Sequence, residues 1–262
     1  MITSMNNGQI KYIKLLQKKS KARKEENAFV IEGIKMFEES RLEGNLIKSY
    51  FSEEFFSKKV KEKPDYFQEL SYEIIQDSVF NKISDTLTPQ GVLAIVEKPK
   101  YNILDIIKNP NSTLLLLENI QDPGNLGTMV RTAEGAGFTG IILSNNSVDI
   151  LNPKVIRSTM GSIYRTPFVY VDNFEHTLRE IQKNNISIYA AHLKGAIYYD
   201  EVSYSKNCGI LIGNESGGLK ENTAKMADGL IKIPMKGKVE SLNVAVAAAI
   251  IMYEVSRQHR QK

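Results

Sequence analysis

Apolar residues form five short runs after residue 112, with few polar residues inside them. The runs are TLLLLEN (113–119), GIILSN (140–145), ISIYAAH (186–192), CGILIG (208–213) and GLIKIP (229–234). Runs without alternation are typical of strands buried on both faces, as in a parallel sheet covered by helices. Helical patterns lie between and after these runs, at 125–136, 153–159, 173–183, 219–226 and 242–257. Strands that alternate with helices predict βαβ units.

The first hundred residues contain shorter elements that alternate more quickly. A helix is predicted over 6–18, where Ile10, Ile13 and Leu16 share one face. The other predicted elements are strands at 28–32, 46–51, 72–76 and 91–97 and helices at 34–42 and 77–85, the last with Asp77 as its N-cap. We therefore expect two α/β domains, 1–97 and 112–262, joined by a linker over 98–111 that carries two prolines.

Composition places the chain among ordinary globular proteins, with 42% hydrophobic and 24% charged residues. Its single cysteine, Cys208, excludes an intrachain disulfide framework and fits a reducing compartment. The N-terminus lacks the apolar segment of a signal peptide, and the longest apolar run, 244–252, is about half of a membrane span. The three histidines have no metal-ligand spacing. We expect a cytoplasmic protein that uses neither membrane nor metal.

Positive charge is concentrated at the N-terminus, although the net charge is only +4. Residues 1–24 hold seven Lys or Arg and no Asp or Glu. Such a segment can follow a phosphate backbone, and the alternative is a solvated helix face. The candidate RNA-contacting side chains are Lys11, Lys18, Lys19, Arg23 and Lys24.

The stretch NLGTMVRTAEGAGFTG (125–140) contains GAGFTG, which matches the dinucleotide fingerprint G-x-G-x-x-G. In that fingerprint the glycines follow a strand and open a helix, so that the pyrophosphate meets the helix N-terminus. Here they follow a predicted helix and precede a strand. Gly135 and Gly137 are therefore predicted to end the helix, and a dinucleotide-dependent oxidoreductase is not favoured.

Three Gly-rich and polar loops follow predicted strands and lead into helices. The first is QDPGNLG (121–127), ahead of Arg131; the second is GNESGGL (213–219); the third spans 233–243. Ser241 is a candidate N-cap of the last helix, whereas Asn243 is harder to explain by capping. Because ligands bind at the carboxyl ends of strands in open α/β sheets, the three loops predict one shared site.

Together the loops resemble the three motifs of SpoU/TrmH-type RNA ribose methyltransferases, members of the SPOUT superfamily. The matching residues are Asn125-x-Gly127-x-x-x-Arg131, then Gly213-Asn214-Glu215, then Ile233-Pro234-Met235-x-Gly237 with Ser241-Leu242-Asn243-Val244. The resemblance covers about residues 112–258, and Ser216 stands where many relatives have glycine. FVIEG (29–33) and TPQGVLAIVE (88–97) are similar to the family's ribosomal-protein-like RNA-binding domain.

The resemblance implies a mostly parallel SPOUT sheet with a deep trefoil knot formed by the second and third motifs. It implies S-adenosylmethionine as cofactor and a homodimer whose active site uses both subunits, with the helix at 242–257 in the interface. The residues it assigns to the cofactor are Gly213, Ile233, Leu242, Met235, Asn214 and Leu193.

The implied reaction is methyl transfer to a ribose 2′-hydroxyl of RNA. The resemblance casts Arg131 as the group that activates the hydroxyl, with Asn125, Glu215, Ser241 and Asn243 orienting it and the ribose. Arginine is normally never deprotonated, so a second interpretation is that Arg131 binds a phosphate and stabilises the developing alkoxide.

Ribosomal RNA of the 23S type is favoured over transfer RNA, because the N-terminal domain resembles that of the ribosomal RNA enzymes. Two alternatives stay open: an RNA-binding ribosome assembly factor without turnover, and a SPOUT base methyltransferase. Intact Arg131, Glu215 and Asn243 argue against the first. The pairing of Asn125 and Arg131 with Ser241-x-Asn243 favours ribose over base.

Overall fold

The computed structural model describes residues 1–261, which fall into two units. One unit combines Met1–Pro99 with Leu151–Tyr164, and the other combines Lys100–Ile150 with the residues from 165 onward. The expected linker contains a helix, Ile103–Ile107, whose Ile106 and Ile107 are buried in the core of the second unit. Residues 100–111 therefore belong to that unit, because Ile106 and Ile107, which lie between the two prolines, pack into its core.

The first unit is a four-stranded sheet with helices. Its helices are α1 Gly8–Lys18, α2 Ser20–Glu25, α3 Ile34–Glu43, α4 Glu53–Glu62 and α5 Asp77–Ile83, with a 3-10 turn at Pro64–Phe67. Its strands are β1 Ala28–Glu32, β2 Leu46–Ser52, β3 Tyr72–Ile75 and β4 Val92–Glu97, in the order β1-β4-β2-β3. Strand β4 is antiparallel to both of its neighbours, and β2 is parallel to β3.

The predicted apolar face of α1 is confirmed, since Ile10, Ile13 and Leu16 are fully buried. The predicted cap of α5 is wrong. Gln76 is the N-cap residue, and Asp77 is the first helical residue, where its carboxylate accepts a hydrogen bond from the backbone of Glu54.

Arg23 corrects the expectation that all five basic candidates face RNA. Its side chain is only 3% exposed, and its guanidinium donates to the backbone carbonyls of Leu16 (2.6 Å) and Gln17 (3.1 Å). Helix α2 follows α1 after one residue, so Arg23 turns back onto the end of α1 and binds carbonyls that lack helical partners. Arg23 therefore stabilises the fold, whereas Lys11, Lys18, Lys19 and Lys24 are exposed.

The second unit is a seven-stranded sheet covered by helices. Its strands are β5 Thr113–Leu117, β6 Gly140–Ser144, β7 Phe168–Val171, β8 Ser187–Ala191, β9 Ile197–Tyr198, β10 Cys208–Ile212 and β11 Gly229–Lys232. Its helices are α6 Ile103–Ile107, α7 Pro123–Gly135, α9 Phe174–Lys183, α10 Glu221–Lys225 and α11 Val244–Arg260. Helix α8 Pro153–Thr159 and a 3-10 turn at Ser162–Tyr164 lie between β6 and β7 in the sequence but belong to the first unit. All six strand pairings are parallel, in the order β7-β6-β5-β10-β8-β11-β9.

The parallel sheet predicted from unalternated apolar runs is confirmed. Every residue of β5, β6 and β10 is buried. Strand β10 lies between β5 and β8, and β11 pairs with the other side of β8. The carboxyl ends of these four parallel strands therefore share one edge, which brings the loops after β5, β10 and β11 together.

The GAGFTG stretch ends α7, as predicted. Gly135 is the last helical residue, and Gly137 has φ +80°, a left-handed conformation that favours glycine. The backbone N–H of Phe138 donates to Ala133, and that of Gly137 donates to Glu134, which is the hydrogen-bond pattern of a glycine-terminated helix.

In residues 1–261, no helix has the length and apolar character needed to cross a bilayer.

Candidate active site

The carboxylate of Glu215 connects the second loop to the first. It accepts hydrogen bonds from the backbone N–H groups of Gln121 (3.1 Å) and Asp122 (3.0 Å) and from the side-chain amide of Asn125 (3.3 Å). Partial burial raises the pKa of Glu215, but these hydrogen bonds together bring that pKa below its ordinary value. Glu215 is therefore ionised at neutral pH and holds the start of α7 as an anion.

Asn243 connects the third loop to the same residue of α7. Its Oδ1 caps α11 by accepting from the backbone N–H groups of Ala245 (2.9 Å) and Val246 (3.3 Å). Its Nδ2 donates to Oδ1 of Asn125 at 3.0 Å. Asn243, and not Ser241 as the sequence suggested, is therefore the N-cap of α11. Its one side chain both caps this helix and contacts Asn125.

The three side chains form a continuous chain of hydrogen bonds, Asn243 to Asn125 to Glu215. In the side-chain amides of Asn125 and Asn243, each oxygen accepts from an N–H group and each nitrogen donates to an oxygen. Each amide therefore has one consistent orientation. The chain therefore links all three loops through polar groups whose directions are fixed.

Asn214 and Gly213 shape the second loop from within. Oδ1 of Asn214 accepts from the backbone of Ser216 and Gly217, each at 3.0 Å, and its Nδ2 donates to the carbonyl of Asn119 at 2.9 Å. A Cβ on Gly213 would lie 2.3 Å from the backbone of the loop's far side, so only glycine fits there. Ser216 also donates its hydroxyl to Asn214, which accommodates the departure from glycine.

Arg131 and Ser241 are near this network in sequence but are not joined to it. Arg131 is exposed on α7, six residues after Asn125 and about 9 Å farther along the helix axis. Within residues 1–261, neither the Arg131 guanidinium nor the Ser241 hydroxyl has a hydrogen-bond or ion-pair partner. Both groups are therefore available to a molecule outside the chain.

The residues expected at the cofactor offer apolar surface beside free backbone groups. Leu193, which follows β8, is 69% exposed, and Ile233, Met235 and Leu242 are half-buried. In the described chain, residues 235–242 make no hydrogen bond between their backbone and another backbone group. An adenosine needs apolar contact for its ring and hydrogen-bonding groups for its edges, so these residues fit S-adenosylmethionine.

Two residues beyond the motifs also build the site. Glu118 is 4% exposed and accepts from the backbone N–H of Lys220 (2.9 Å) and the hydroxyl of Thr223 (2.7 Å). Gln121 donates its side-chain amide to the carbonyl of Asn146 at 2.7 Å. In the sequence, Glu118 could have been noticed as the one carboxylate at the end of the otherwise apolar run TLLLLEN.

Comparison with known families matches both parts of the chain. The SpoU rRNA Methylase family matches residues 112–253, and the MRM3-like substrate binding domain matches residues 7–94. The 23S rRNA (guanosine(2553)-2'-O)-methyltransferase RlmP of Bacillus subtilis (strain 168) is 31% identical over 254 residues, which cover 97% of this chain and 98% of RlmP.

Two solved structures have the same architecture. The AdoMet-bound rRNA methyltransferase from Sinorhizobium meliloti superposes with a TM-score of 0.85 at 30% identity, covering 98% of this chain and 97% of that one. The SpoU methyltransferase AviRb from Streptomyces viridochromogenes, in complex with AdoMet, gives 0.86 at 24% identity, covering 98% of this chain and all of that one. AviRb supports the fold alone.

Proposed function

Because the chain belongs to the SpoU rRNA methylase family, we propose that it transfers a methyl group from S-adenosylmethionine to a ribose 2′-hydroxyl of 23S-type ribosomal RNA. The observation that carries the proposal is the polar chain Asn243–Asn125–Glu215, which joins all three family motifs at one edge of the parallel sheet. The match to RlmP runs through both units, which supports a ribosomal rather than a transfer RNA target.

S-adenosylmethionine supplies a methyl group that its sulfonium already activates. Leu193, Ile233, Met235 and Leu242 would contact the cofactor's apolar parts, and backbone groups of Gly213 and the 235–242 segment would bind its polar edges. The side chain of Asn214 is bonded to Asn119 and to its own loop. Its backbone N–H and carbonyl are both bonded to Gly218, so Asn214 would shape the loop around the cofactor rather than bind it through a polar group. The remaining task for the protein is to orient the 2′-oxygen.

Arg131 is assigned to the phosphate beside the target ribose and to the negative charge that develops on the 2′-oxygen. Its lack of any partner in residues 1–261 supports this role, since a guanidinium committed to a carboxylate could not turn to RNA. The Glu215 carboxylate already accepts hydrogen bonds from four donors, so it orients Asn125 rather than accepting the hydroxyl proton. Asn243 orients Asn125 from the other side, and Ser241 binds the substrate.

A homodimer is the second part of the proposal. Helix α11 buries Ala245, Ala248 and Met252 against the unit, yet Val246 is 48% and Tyr253 is 51% exposed on the opposite face. A helix that is apolar on both faces favours a second packing partner. Dissociation of the dimer by Val246→Glu in sedimentation, but not by Leu87→Glu at a fully exposed leucine of the first unit, would support α11 as the interface.

A trefoil knot formed by the second and third motifs is also proposed. The chain leaves β10, passes through β11 two strands away, and returns so that α11 packs against both α7 and β10. That return path supports threading of the last helix through the preceding loops. We also propose a cytoplasmic location, which an rRNA substrate would support. The exposed lysines Lys11, Lys18, Lys19 and Lys24 would add RNA affinity that falls with salt.

The decisive experiment follows labelled methyl from S-adenosylmethionine into ribosomal RNA and digests the product to nucleosides. A 2′-O-methylnucleoside is the expected product. A methylated base would instead identify a base methyltransferase, and RNA binding without transfer or cofactor binding would identify an assembly factor. Mapping 2′-O-methyl sites in RNA from cells with and without the protein then identifies the nucleotide.

A further inference from the structure

We propose that Glu118, which lies outside the three motifs, is a positioning residue that holds the 213–220 loop in its active arrangement. The inference rests on the proposed function, because the loop carries Glu215 and the cofactor-binding Gly213. Glu118 would act on the reaction only through this loop, without touching cofactor or RNA.

The surroundings of Glu118 are unusual for a carboxylate. It follows β5 directly and is almost completely buried. One oxygen accepts from the backbone N–H of Lys220 and the other from the hydroxyl of Thr223, which is fully buried. Among the described residues it has no ion-pair partner. Burying a carboxyl group costs free energy unless hydrogen bonds compensate for it, so the two bonds to Lys220 and Thr223 fix where Glu118 lies.

The geometry identifies that task as anchoring the far end of the loop. The side-chain amide of Asn214, near the start of the loop, donates to the carbonyl of Asn119, and the N–H of Lys220, at its end, donates to Glu118. Two consecutive residues at the end of β5 therefore hold both ends of the loop. The backbones of Asn214 and Gly218 also form two hydrogen bonds with each other, which tie the two sides of the loop together.

Because the two sides of the loop are bonded together, loss of the bond between Glu118 and Lys220 would also displace the residues around Glu215. Glu215 lies between the two anchors, and its carboxylate must reach the backbone of Gln121 and Asp122 and the side chain of Asn125. A displacement of about 1 Å at such a group can lower turnover by about a hundredfold. The same displacement would move Gly213 and weaken cofactor binding.

The test compares Glu118→Gln and Thr223→Val with Thr177→Val. Thr177, on α9, is a matched control, because it is also buried and its hydroxyl also donates within the second unit. The acceptor is the carbonyl of Asn173, the N-cap of α9, away from the three loops. Four quantities are measured on the full chain: amide hydrogen exchange of residues 214–221, the Kd for S-adenosylmethionine by calorimetry, kcat, and KM for RNA.

Both site variants should exchange faster across 214–221, bind S-adenosylmethionine at least tenfold more weakly and lose about a hundredfold in kcat, with KM for RNA unchanged. Thr177→Val should leave all four unchanged at a temperature well below its Tm. Wild-type exchange and wild-type cofactor affinity in both site variants would overturn the proposal. If Glu118→Gln fails to fold, Thr223→Val decides, since it keeps the carboxylate.

A double variant separates action through the loop from independent damage. Glu118→Gln combined with Glu215→Gln should have a kcat no lower than the worse single variant, because both changes break the same connection. Multiplied losses would contradict the inference. If the wild-type protein transfers no methyl group to RNA, the proposed function fails by itself, while hydrogen exchange and cofactor affinity still decide the role of Glu118.

Discussion

The side-chain amide of Asn243 donates a 3.0 Å hydrogen bond to the side-chain oxygen of Asn125, joining residues 118 positions apart. The bond connects the third residue of α7 with the N-cap residue of α11, and these two helices also pack against each other. Since Asn125 in turn donates to Glu215, one side chain at the start of α7 carries the connection between all three loops. The site is therefore assembled by helix termini rather than by the sheet alone.

The two roles of Asn243 can be separated by substitution. Asn243→Ser keeps an N-cap, so the free energy of unfolding should stay within about 0.5 kcal/mol, whereas Asn243→Ala should cost about 1 kcal/mol. Both variants lose the amide that holds Asn125, so both should lose most methyl transfer. Urea denaturation and a methyl-transfer assay measure the two effects. Wild-type turnover in Asn243→Ser would mean that the bond to Asn125 has no part in the reaction.

Two glycines of the second loop predict opposite results for the same substitution. A Cβ at Gly213 meets backbone atoms at 2.3 Å, so Gly213→Ala must displace the loop, and S-adenosylmethionine binding should be lost. A Cβ at Gly217 meets only a side-chain oxygen at 3.7 Å, so Gly217→Ala should bind the cofactor normally. Calorimetric titration with the cofactor compares them. If both variants lost the same cofactor affinity, the effect would come from reduced backbone flexibility of the loop rather than from a steric clash at Gly213.

The parallel sheet was predictable because its central strands are apolar on both faces, a pattern that short sequence windows reveal. The meeting of the three loops was predictable for the same reason, since parallel strands place their carboxyl ends together. Short edge elements gave less signal. Strand β9 has two residues, both exposed, and β7 is half-buried. Helix α4 has no buried residue, although Ser52 followed by Glu53 and Glu54 is a recognisable start.

The detailed geometry of the site depended on long-range contacts that the sequence does not display. Ser241 and Asn243 are both good caps, and only the position at which α11 begins selects Asn243. Arg23 carries the same charge as its exposed neighbour Lys24, and only the turn between α1 and α2 buries it. Glu118 acquires its partners from a loop about a hundred residues later. Tertiary structure decides in each case which of several locally equivalent residues is used.

The ionisation of Glu215 predicts how pH affects stability. Because hydrogen bonds lower its folded pKa against the effect of burial, this carboxylate stabilises the fold above its unfolded pKa of about 4.3. That contribution is lost as pH falls through the folded pKa. The difference in unfolding free energy between wild type and Glu215→Gln should therefore be constant above about pH 5 and shrink below it. Urea titrations from pH 3 to 7 measure it, and a difference that grows on acidification would reverse the assignment.

Adjacent basic residues of the N-terminal arm predict different phenotypes. Lys24→Gln removes an exposed charge, so RNA affinity should fall and the salt dependence of binding should become shallower, with Tm unchanged. Arg23→Gln removes a buried guanidinium that binds two carbonyls, so it should cost about 1–3 kcal/mol of stability. Filter binding at several salt concentrations and thermal denaturation distinguish them. If Lys24→Gln left affinity and salt slope unchanged, the arm would be a solvated surface only.

Arg131 predicts a loss of turnover without a loss of cofactor. Its guanidinium is exposed and has no partner in residues 1–261, so Arg131→Ala should leave the fold and the Kd for S-adenosylmethionine nearly unchanged. Without its charge beside the developing alkoxide, kcat should fall by about 10²–10³-fold. Arg131→Lys keeps a cation but not the planar fork, so it should recover only part of the loss. Arg179→Ala, at an exposed arginine of α9, is the matched control and should turn over normally. Full activity in Arg131→Ala would remove Arg131 from the mechanism, whereas full recovery by lysine would show that charge alone is required.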